Sequence, residues 1–163
     1  MSGWSVRGRW RLLLPVAVGL VAVAVWLLYP RPSDRELITA LIRRGEHGIE
    51  TKNVKETMSC IAPDYSDSQS VTRTELLRLV MQWARLRERG DVTIEDYRLD
   101  ITPPTAQGQF QVVFVMTSEG GVRTVLPMEL TMQFEQQPQR WRRVWLLKSC
   151  EGYRVGSMME GLE

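Results

Sequence analysis

The sequence predicts an α+β domain that follows an N-terminal transmembrane helix. Before Gly90, three capping motifs each precede apolar residues at helical spacing, which indicates three helices. After Gly90, apolar and polar residues alternate along four segments, which indicates strands. Helices followed by an antiparallel run of strands are typical of an α+β fold in which the helices pack on one face of the sheet. The transmembrane helix is predicted from an uncharged apolar run at 12–29.

Length, composition and charge exclude several classes of protein. A chain of 163 residues suits one domain with an appendage. One His and two Cys are too few for the usual Cys/His zinc site, so we predict no metal and no cofactor. Residues 1–30 contain three arginines and no acid; removing these three charges from the net charge of +2 leaves −1 on residues 31–163. This balance gives no electrostatic reason to expect nucleic-acid binding.

The apolar run at 12–29 is nearly long enough to span the hydrocarbon layer of a bilayer. As a helix it is about 27 Å long at ~1.5 Å per residue. Trp10 stands at one end and Trp26 and Tyr29 at the other, where aromatic side chains anchor at the membrane interface. Because the three arginines precede the run, residues 1–11 are predicted to stay in the cytoplasm. The rest of the chain is then predicted to lie outside the cytoplasmic (inner) membrane.

Two alternatives to an uncleaved single-pass anchor also fit parts of this segment. Residues 22–24 (Ala-Val-Ala) fit the cleavage site of a signal peptide. The apolar run continues through Leu28, however, whereas a cleavage site normally lies at the polar end of the run, so the uncleaved anchor is favoured. Pro15 and Gly19 also fit a buried helix of a soluble core. With the anchor, residues 30–33 form a linker to the exported domain.

Capping motifs predict where the three helices begin, and these motifs lie at 33–36, 53–56 and 72–75. The first helix is predicted to begin at Asp34 and to end between Arg44 and Thr51. The second helix is short, and Pro63 ends it. The third helix carries a broad apolar stripe, and Gly90 closes it.

Four strands are predicted, at 92–101, 109–118, 122–136 and 140–153. In the first strand the apolar residues change parity near Glu95, so we expect a β-bulge there. In the third strand the even-numbered positions from Val122 onward are apolar and should point inward, and Pro127 implies an edge, a bulge or a kink. Turns are predicted at 120–121 and at 137–139, before and after the third strand.

The stretch from Met58 to Leu79, MSCIAPDYSDSQSVTRTELLRL, resembles the acidic loop and capped helix of the nuclear transport factor 2-like (NTF2-like) superfamily, which includes SnoaL-like and ketosteroid-isomerase-like proteins. The order of helices and strands is similar as well. The resemblance covers residues 34–153 and leaves a short tail at 154–163. It implies a strongly curved sheet of four or more strands, wrapped around the helices as a cone with an interior cavity. Members use this cavity as an active site, bind ligands in it, or only join partners.

Asp64 and Tyr65 in this loop are the candidate catalytic residues. A carboxylate beside an apolar cone is expected to have a raised pKa, so that Asp64 could act as a base at the cavity mouth. The alternative is that Asp64 caps a turn after Pro63 and that Tyr65 fills the core. His47 is predicted to be solvated, because nothing near it in the sequence orients it. The catalytic sets of the isomerase-like and dehydratase-like members have no match in this sequence.

Cys60 and Cys150 are an even pair in a domain that is predicted to be exported. An oxidising compartment favours a disulfide between them, and the resemblance implies that the end of the second helix lies near the last strand. The alternative is two buried thiols that behave as small hydrophobes. The basic and aromatic residues at 140–145 are interpreted as cation–π packing on one strand face, not as a surface for nucleobases.

Two functional hypotheses follow from these observations. In the first, the exported domain is a ligand-binding or protein-assembly module of the cell envelope, whose partner is a small apolar ligand, an envelope protein or a second copy of the chain. In the second, the cone is the active site of an isomerase, cyclase or dehydratase with an apolar substrate. An enzyme needs polar groups that converge in an open pocket. The eight Met residues and the bulky third helix instead predict a filled cone.

Overall fold

The computed structural model describes residues 32–139 and 142–152, and its helices and strands belong to the compact unit that begins at Ser33. Three helices come first, α1 (Asp34–Glu50), α2 (Val54–Ser59) and α3 (Arg73–Arg85). Four strands follow, β1 (Arg89–Thr102), β2 (Thr105–Thr117), β3 (Arg123–Gln139) and β4 (Arg142–Glu151). The strands pair antiparallel in chain order in one curved sheet. The predicted α+β order is confirmed.

The predicted transmembrane helix at 12–29 lies outside the residues that the structure describes. Within the described ranges, no helix is both long and apolar enough to cross a membrane. The anchor and the domain boundaries that depend on it therefore stay predictions.

The helices begin where the capping motifs predict. Ser33 and Glu36 form a complete capping box at the start of α1, and the Ser33 N–H donates to Glu36 Oε2 at 2.7 Å. Thr72 and Glu75 form the second box, at the start of α3. In each box the backbone N–H lowers the pKa of the glutamate, because it stabilises the charged carboxylate. These local contacts confirm the predicted helix starts.

The predicted end of α2 is wrong, because pairing with a distant strand ends the helix before Pro63 is reached. α2 ends at Ser59. Ile61 then pairs in parallel with Leu147 of β4, and the Ala62 N–H donates to the Leu147 carbonyl at 2.9 Å. This pairing also confirms that the end of the second helix lies beside the last strand.

Gly90 lies inside β1 and does not close α3, which ends at Arg85. Its missing side chain makes room for the indole ring of Trp83. A Cβ atom on Gly90 would lie 2.5 Å from Trp83 Cζ2 and 2.9 Å from Phe114 Cζ. Trp83 and Phe114 pack edge to face, with ring centres 5.5 Å apart. The glycine therefore permits a close contact between helix and strand.

The sheet confirms the predicted bulge and corrects one predicted turn. β1 changes register against β2 between Ile94 and Asp96. β3 continues through Pro138, which pairs with Arg143, so the turn predicted at 137–139 is wrong. A proline is tolerated in a strand where the ladder needs no hydrogen bond from its nitrogen.

Pro127 lies on a part of β3 that pairs only with β2 in the described chain. It stands opposite Val113 of β2, whereas the pairing of β3 with β4 begins at Thr131. The predicted edge position is confirmed, because a missing N–H breaks no ladder bond there. The even-numbered residues of Leu126–Phe134 point inward as predicted. Val122 precedes the strand and is 67% exposed, so its predicted inward position is wrong.

Two clusters of buried side chains form the core. The first lies between α1 and the sheet around Ile38, Phe110 and Phe134. Tyr97 stacks on Phe110 in this cluster, with ring centres 5.5 Å apart. The second joins α2 and the loop after it to β4, and it consists of Met58, Ile61, Tyr65 and Cys150. No residue of α3 is fully buried, so this helix takes a smaller part in the core.

Gly90→Ala is expected to destabilise the full chain by about 1–3 kcal/mol, because the added methyl group overlaps the Trp83 ring. Thermal unfolding followed by near-UV circular dichroism measures this loss. Gly45→Ala is the matched control, because its added Cβ meets no atom within 4 Å. This substitution lies inside α1 and should leave stability unchanged or raise it by up to ~1 kcal/mol. Equal effects of the two substitutions would contradict the proposed role of Gly90.

Candidate functional site

The candidate site is an open apolar cavity between α3 and the inward face of the sheet, with a volume of about 350 Å³. The α3 side contributes Leu76, Leu79, Val80, Trp83 and Leu86. The sheet contributes Val92, Ile94, Val112, Phe114, Met116, Leu126, Met128, Leu130, Met132 and Leu147. The predicted filled cone is therefore wrong. The methionines and the apolar stripe line an open space instead of filling it.

A group of contacts that we call the Trp83 clamp holds the C-terminal end of α3, and it consists of Trp83, Ile49, Lys52 and Gly90. Trp83 Nε1 donates to the Ile49 carbonyl at 3.0 Å. The Lys52 ammonium lies 5.0 Å from the centre of the Trp83 ring, which is a cation–π contact, and it also donates to the carbonyl of Leu86. With Gly90 beneath it, the ring is fixed as one wall of the cavity.

The N-terminal end of α3 is held by different contacts. The Arg73 guanidinium donates to the Met58 carbonyl at 3.3 Å. Leu76 and Leu77 pack against the second core cluster. Between these two attachments α3 forms the roof of the cavity.

Few polar groups line the cavity, and none of its described lining residues is Asp, Glu, His, Lys or Arg. The polar lining residues are Thr57, Tyr65, Gln82, Trp83 and Cys150. Burial raises the pKa of the Cys150 thiol to about 12, so this thiol is neutral and a poor nucleophile near pH 7. Among the described lining residues, Tyr65 and Cys150 are therefore the side chains that carry a titratable proton.

Asp64 does not line the cavity but lies on the surface in a salt bridge. Its side chain is 59% exposed and accepts hydrogen bonds from Lys148 Nζ and, at 3.0 Å, from Gln137 Nε2. Lys148 Nζ also lies 3.7 Å from Glu135 Oε2. The hydrogen bond from Lys148 is the main reason that the pKa of Asp64 is lowered. The raised pKa expected of a base at the cavity mouth is therefore wrong for Asp64.

Tyr65 faces inward and lines the cavity. It is only 3% exposed and belongs to the second core cluster, so it fills the core as the alternative interpretation expects. Its hydroxyl group donates to Asp67 Oδ2 at 3.4 Å. The structure thus separates the two candidate residues, because one side chain faces solvent and the other faces the cavity.

His47 is exposed as predicted, although it has a partner that its sequence neighbours do not reveal. His47 Nδ1 lies 3.2 Å from Glu56 Oε2, which belongs to α2. This pair links α1 to α2 away from the residues that line the cavity.

Cys60 and Cys150 are free, buried thiols in the structure. They belong to different core clusters. Cys60 Sγ donates to the Leu41 carbonyl at 3.7 Å, and burial raises the pKa of this thiol. The burial of both thiols agrees with the second alternative, and the disulfide in an oxidising compartment stays a prediction.

Trp145 has a role that the basic and aromatic pattern at 140–145 does not indicate. It is buried, and its Nε1 donates to Asp34 Oδ1 at 2.8 Å. Gln136 Nε2 donates to the same oxygen at 2.9 Å. These bonds attach the start of α1 to β3 and β4. Residues 140–141, which complete the pattern, lie in the gap of the described chain.

A second, polar groove of about 490 Å³ lies at the other end of the strands. Its lining includes Asp100, Gln107, Gln133, Glu135 and Lys148. The polar side chains of this groove are mostly exposed, so we take the apolar cavity as the candidate site. Among the described residues, no group of three or more His, Cys, Asp or Glu side chains is placed to hold a metal ion.

Several solved structures share this fold at low sequence identity, whereas no family model and no curated protein matches the chain. A candidate dehydratase of the NTF2-like family from Streptomyces avermitilis aligns with a TM-score of 0.63 and 16% identity, over 75% of this chain and 97% of that one. A candidate aromatic ring hydroxylase from Novosphingobium aromaticivorans aligns with a TM-score of 0.64 and 12% identity, over 77% and 92% of the two chains. An NTF2-like superfamily protein from Salmonella enterica aligns with a TM-score of 0.60 and 9% identity, over 71% and 87%. These likenesses establish an NTF2-like fold for the domain.

Lys148→Met is expected to raise the pKa of Asp64 toward its ordinary value, because the substitution removes the main hydrogen bond to the charged carboxylate. Because the pKa of Asp64 is lowered in the folded state, the ion pair stabilises the fold at pH values above the ordinary pKa of an aspartate. This stabilisation is lost as the pH falls through the lowered pKa. Carboxyl carbon NMR during an acid titration measures the pKa. Lys55→Met, at an exposed lysine of α2, is the control. An unchanged Asp64 pKa in Lys148→Met would contradict the assignment.

Proposed function

We propose that this chain is a membrane-anchored, extracytoplasmic NTF2-like domain that binds a small apolar ligand in the cavity beneath α3. The observation that carries the proposal is the open cavity of about 350 Å³ with its almost wholly apolar wall. This volume lies in the usual range of small-molecule sites. Leaving so many apolar side chains against an open space costs stability that a bound apolar molecule restores.

Catalysis on an apolar substrate is the alternative function for the same cavity. The solved structures with this fold include a candidate dehydratase and a candidate ring hydroxylase, which favours this alternative. The lining residues favour binding, because acid–base chemistry needs at least two converging polar groups and the described wall contains no carboxylate or imidazole. We therefore place ligand binding first.

Naphthalene, a small apolar probe, is expected to bind the full chain in detergent with a Kd on the order of 10 µM. Methionine methyl NMR locates the binding, because Met116, Met128 and Met132 line the cavity. The ring current of a bound aromatic molecule should shift these three methyl signals in a saturable way. The Met81 methyl group, on the exposed side of α3, should not shift.

Leu79→Glu is expected to weaken naphthalene binding at least tenfold, because it places a charge on the cavity wall. Met81→Glu is the matched control, since Met81 lies on the same helix, is 39% exposed and does not line the cavity. Circular dichroism establishes that both variants are folded. Equal affinities in the two variants would place the probe outside the cavity and contradict the proposal.

The extracytoplasmic location is supported by the sequence alone, through the arginines before the apolar run at 12–29. We expect a reporter enzyme that works only outside the cytoplasm to be active when it is fused after Glu163. Activity of a cytoplasmic reporter at the same position would overturn the proposed orientation. The mass of the exported chain distinguishes the uncleaved anchor from a cleaved signal peptide, because cleavage after Ala24 would leave a chain that lacks residues 1–24.

A further inference from the structure

We propose that the cavity accepts only uncharged hydrocarbon, so that the part of a ligand that enters it carries no group that forms hydrogen bonds. This inference names the ligand class of the cavity and rests on the proposed function. It follows from how the polar groups on the cavity wall are used within the protein.

Hydrogen-bond donors on the wall are already bound to protein acceptors. Trp83 Nε1 donates to the Ile49 carbonyl at 3.0 Å, and this bond belongs to the clamp that holds α3. Thr57 Oγ1 donates to the Asn53 carbonyl at 3.1 Å, within the turn that begins α2. A ligand that took either donor would break a contact that holds the fold together.

The other buried polar groups of the wall are also unsuited to a polar ligand. The Tyr65 hydroxyl group donates to Asp67 Oδ2 at 3.4 Å. Cys150 carries a neutral thiol, which is a weak hydrogen-bond partner. Gln82 is exposed, so it belongs to the rim of the cavity and not to its interior.

The rest of the wall is aliphatic, aromatic or thioether. Methionine side chains are flexible and polarisable, so Met116, Met128 and Met132 let the wall adapt to the shape of a hydrocarbon without offering a hydrogen bond. A polar group that enters loses its bonds to water and gains none, which lowers affinity. Discrimination against polar ligands therefore comes from desolvation.

The test compares three ligands that share one ring system: naphthalene, 2-naphthol and 2-naphthoate. Each is titrated into the full chain through a dialysis membrane, so that its free concentration is known, and the methyl signals of Met128 and Met132 report occupancy. We expect 2-naphthol to bind at least fivefold more weakly than naphthalene, and 2-naphthoate to give no saturable shift at neutral pH. Equal or tighter binding of 2-naphthol or 2-naphthoate would overturn the inference.

Tyr65→Phe tests whether the Tyr65 hydroxyl group, which lies on the cavity wall, forms a hydrogen bond with a polar ligand. Because this hydroxyl group is engaged with Asp67, its removal should leave the ratio of the naphthalene and 2-naphthol affinities unchanged. A selective loss of 2-naphthol binding would assign Tyr65 as a polar contact and overturn the inference. If naphthalene itself gives no saturable shift, the proposed ligand-binding function fails. If naphthalene binds and 2-naphthol binds equally well, only the inference about hydrocarbon fails.

Discussion

The contacts of one indole ring hold the end of the helix that borders the cavity. Trp83 donates a hydrogen bond to the Ile49 carbonyl and makes a cation–π contact with the Lys52 ammonium. Its ring packs against Gly90, where a side chain would collide with it. These contacts hold the end of α3 at a set distance from the sheet. The apolar stripe of this helix lines the cavity, and none of the helix residues is fully buried. α3 is thus attached at its N-terminal end through Arg73 and at its C-terminal end through Trp83, with the open cavity between the two attachments.

Around α3, apolar side chains face the cavity and charged side chains lie on the outer surface. The described wall of the cavity is mostly hydrocarbon and thioether, whereas Asp64, Lys148 and Glu135 pair on the outer surface. Neighbouring residues of one loop take opposite sides, since Asp64 faces solvent and Tyr65 faces the cavity. These charged groups lie where water screens them, and no described residue that lines the open cavity is Asp, Glu, His, Lys or Arg.

The NTF2-like fold explains how such a space arises without loss of the core. α1 packs against the sheet around Ile38 and Phe110, and α2 and the loop after it pack against β4 around Met58. These two clusters bury the side chains that hold the domain together. α3 is consequently free to border a cavity, because the fold does not depend on its complete burial. Solved structures with this architecture carry different assigned chemistry, so the fold by itself indicates neither a ligand nor a reaction.

Sequence alone determined the features that depend on neighbours along the chain. The helix starts follow from capping boxes whose partners are three residues apart, such as Ser33 and Glu36. The alternation of apolar residues revealed four strands and the bulge between Ile94 and Asp96. Only the tertiary structure decided the helix ends and the site. Trp83 and Ile49 are 34 positions apart, and Lys148 and Asp64 are 84 positions apart. A local pattern contains no information about such distant contacts, and for this reason the open cavity and the surface position of Asp64 appear only in the folded chain.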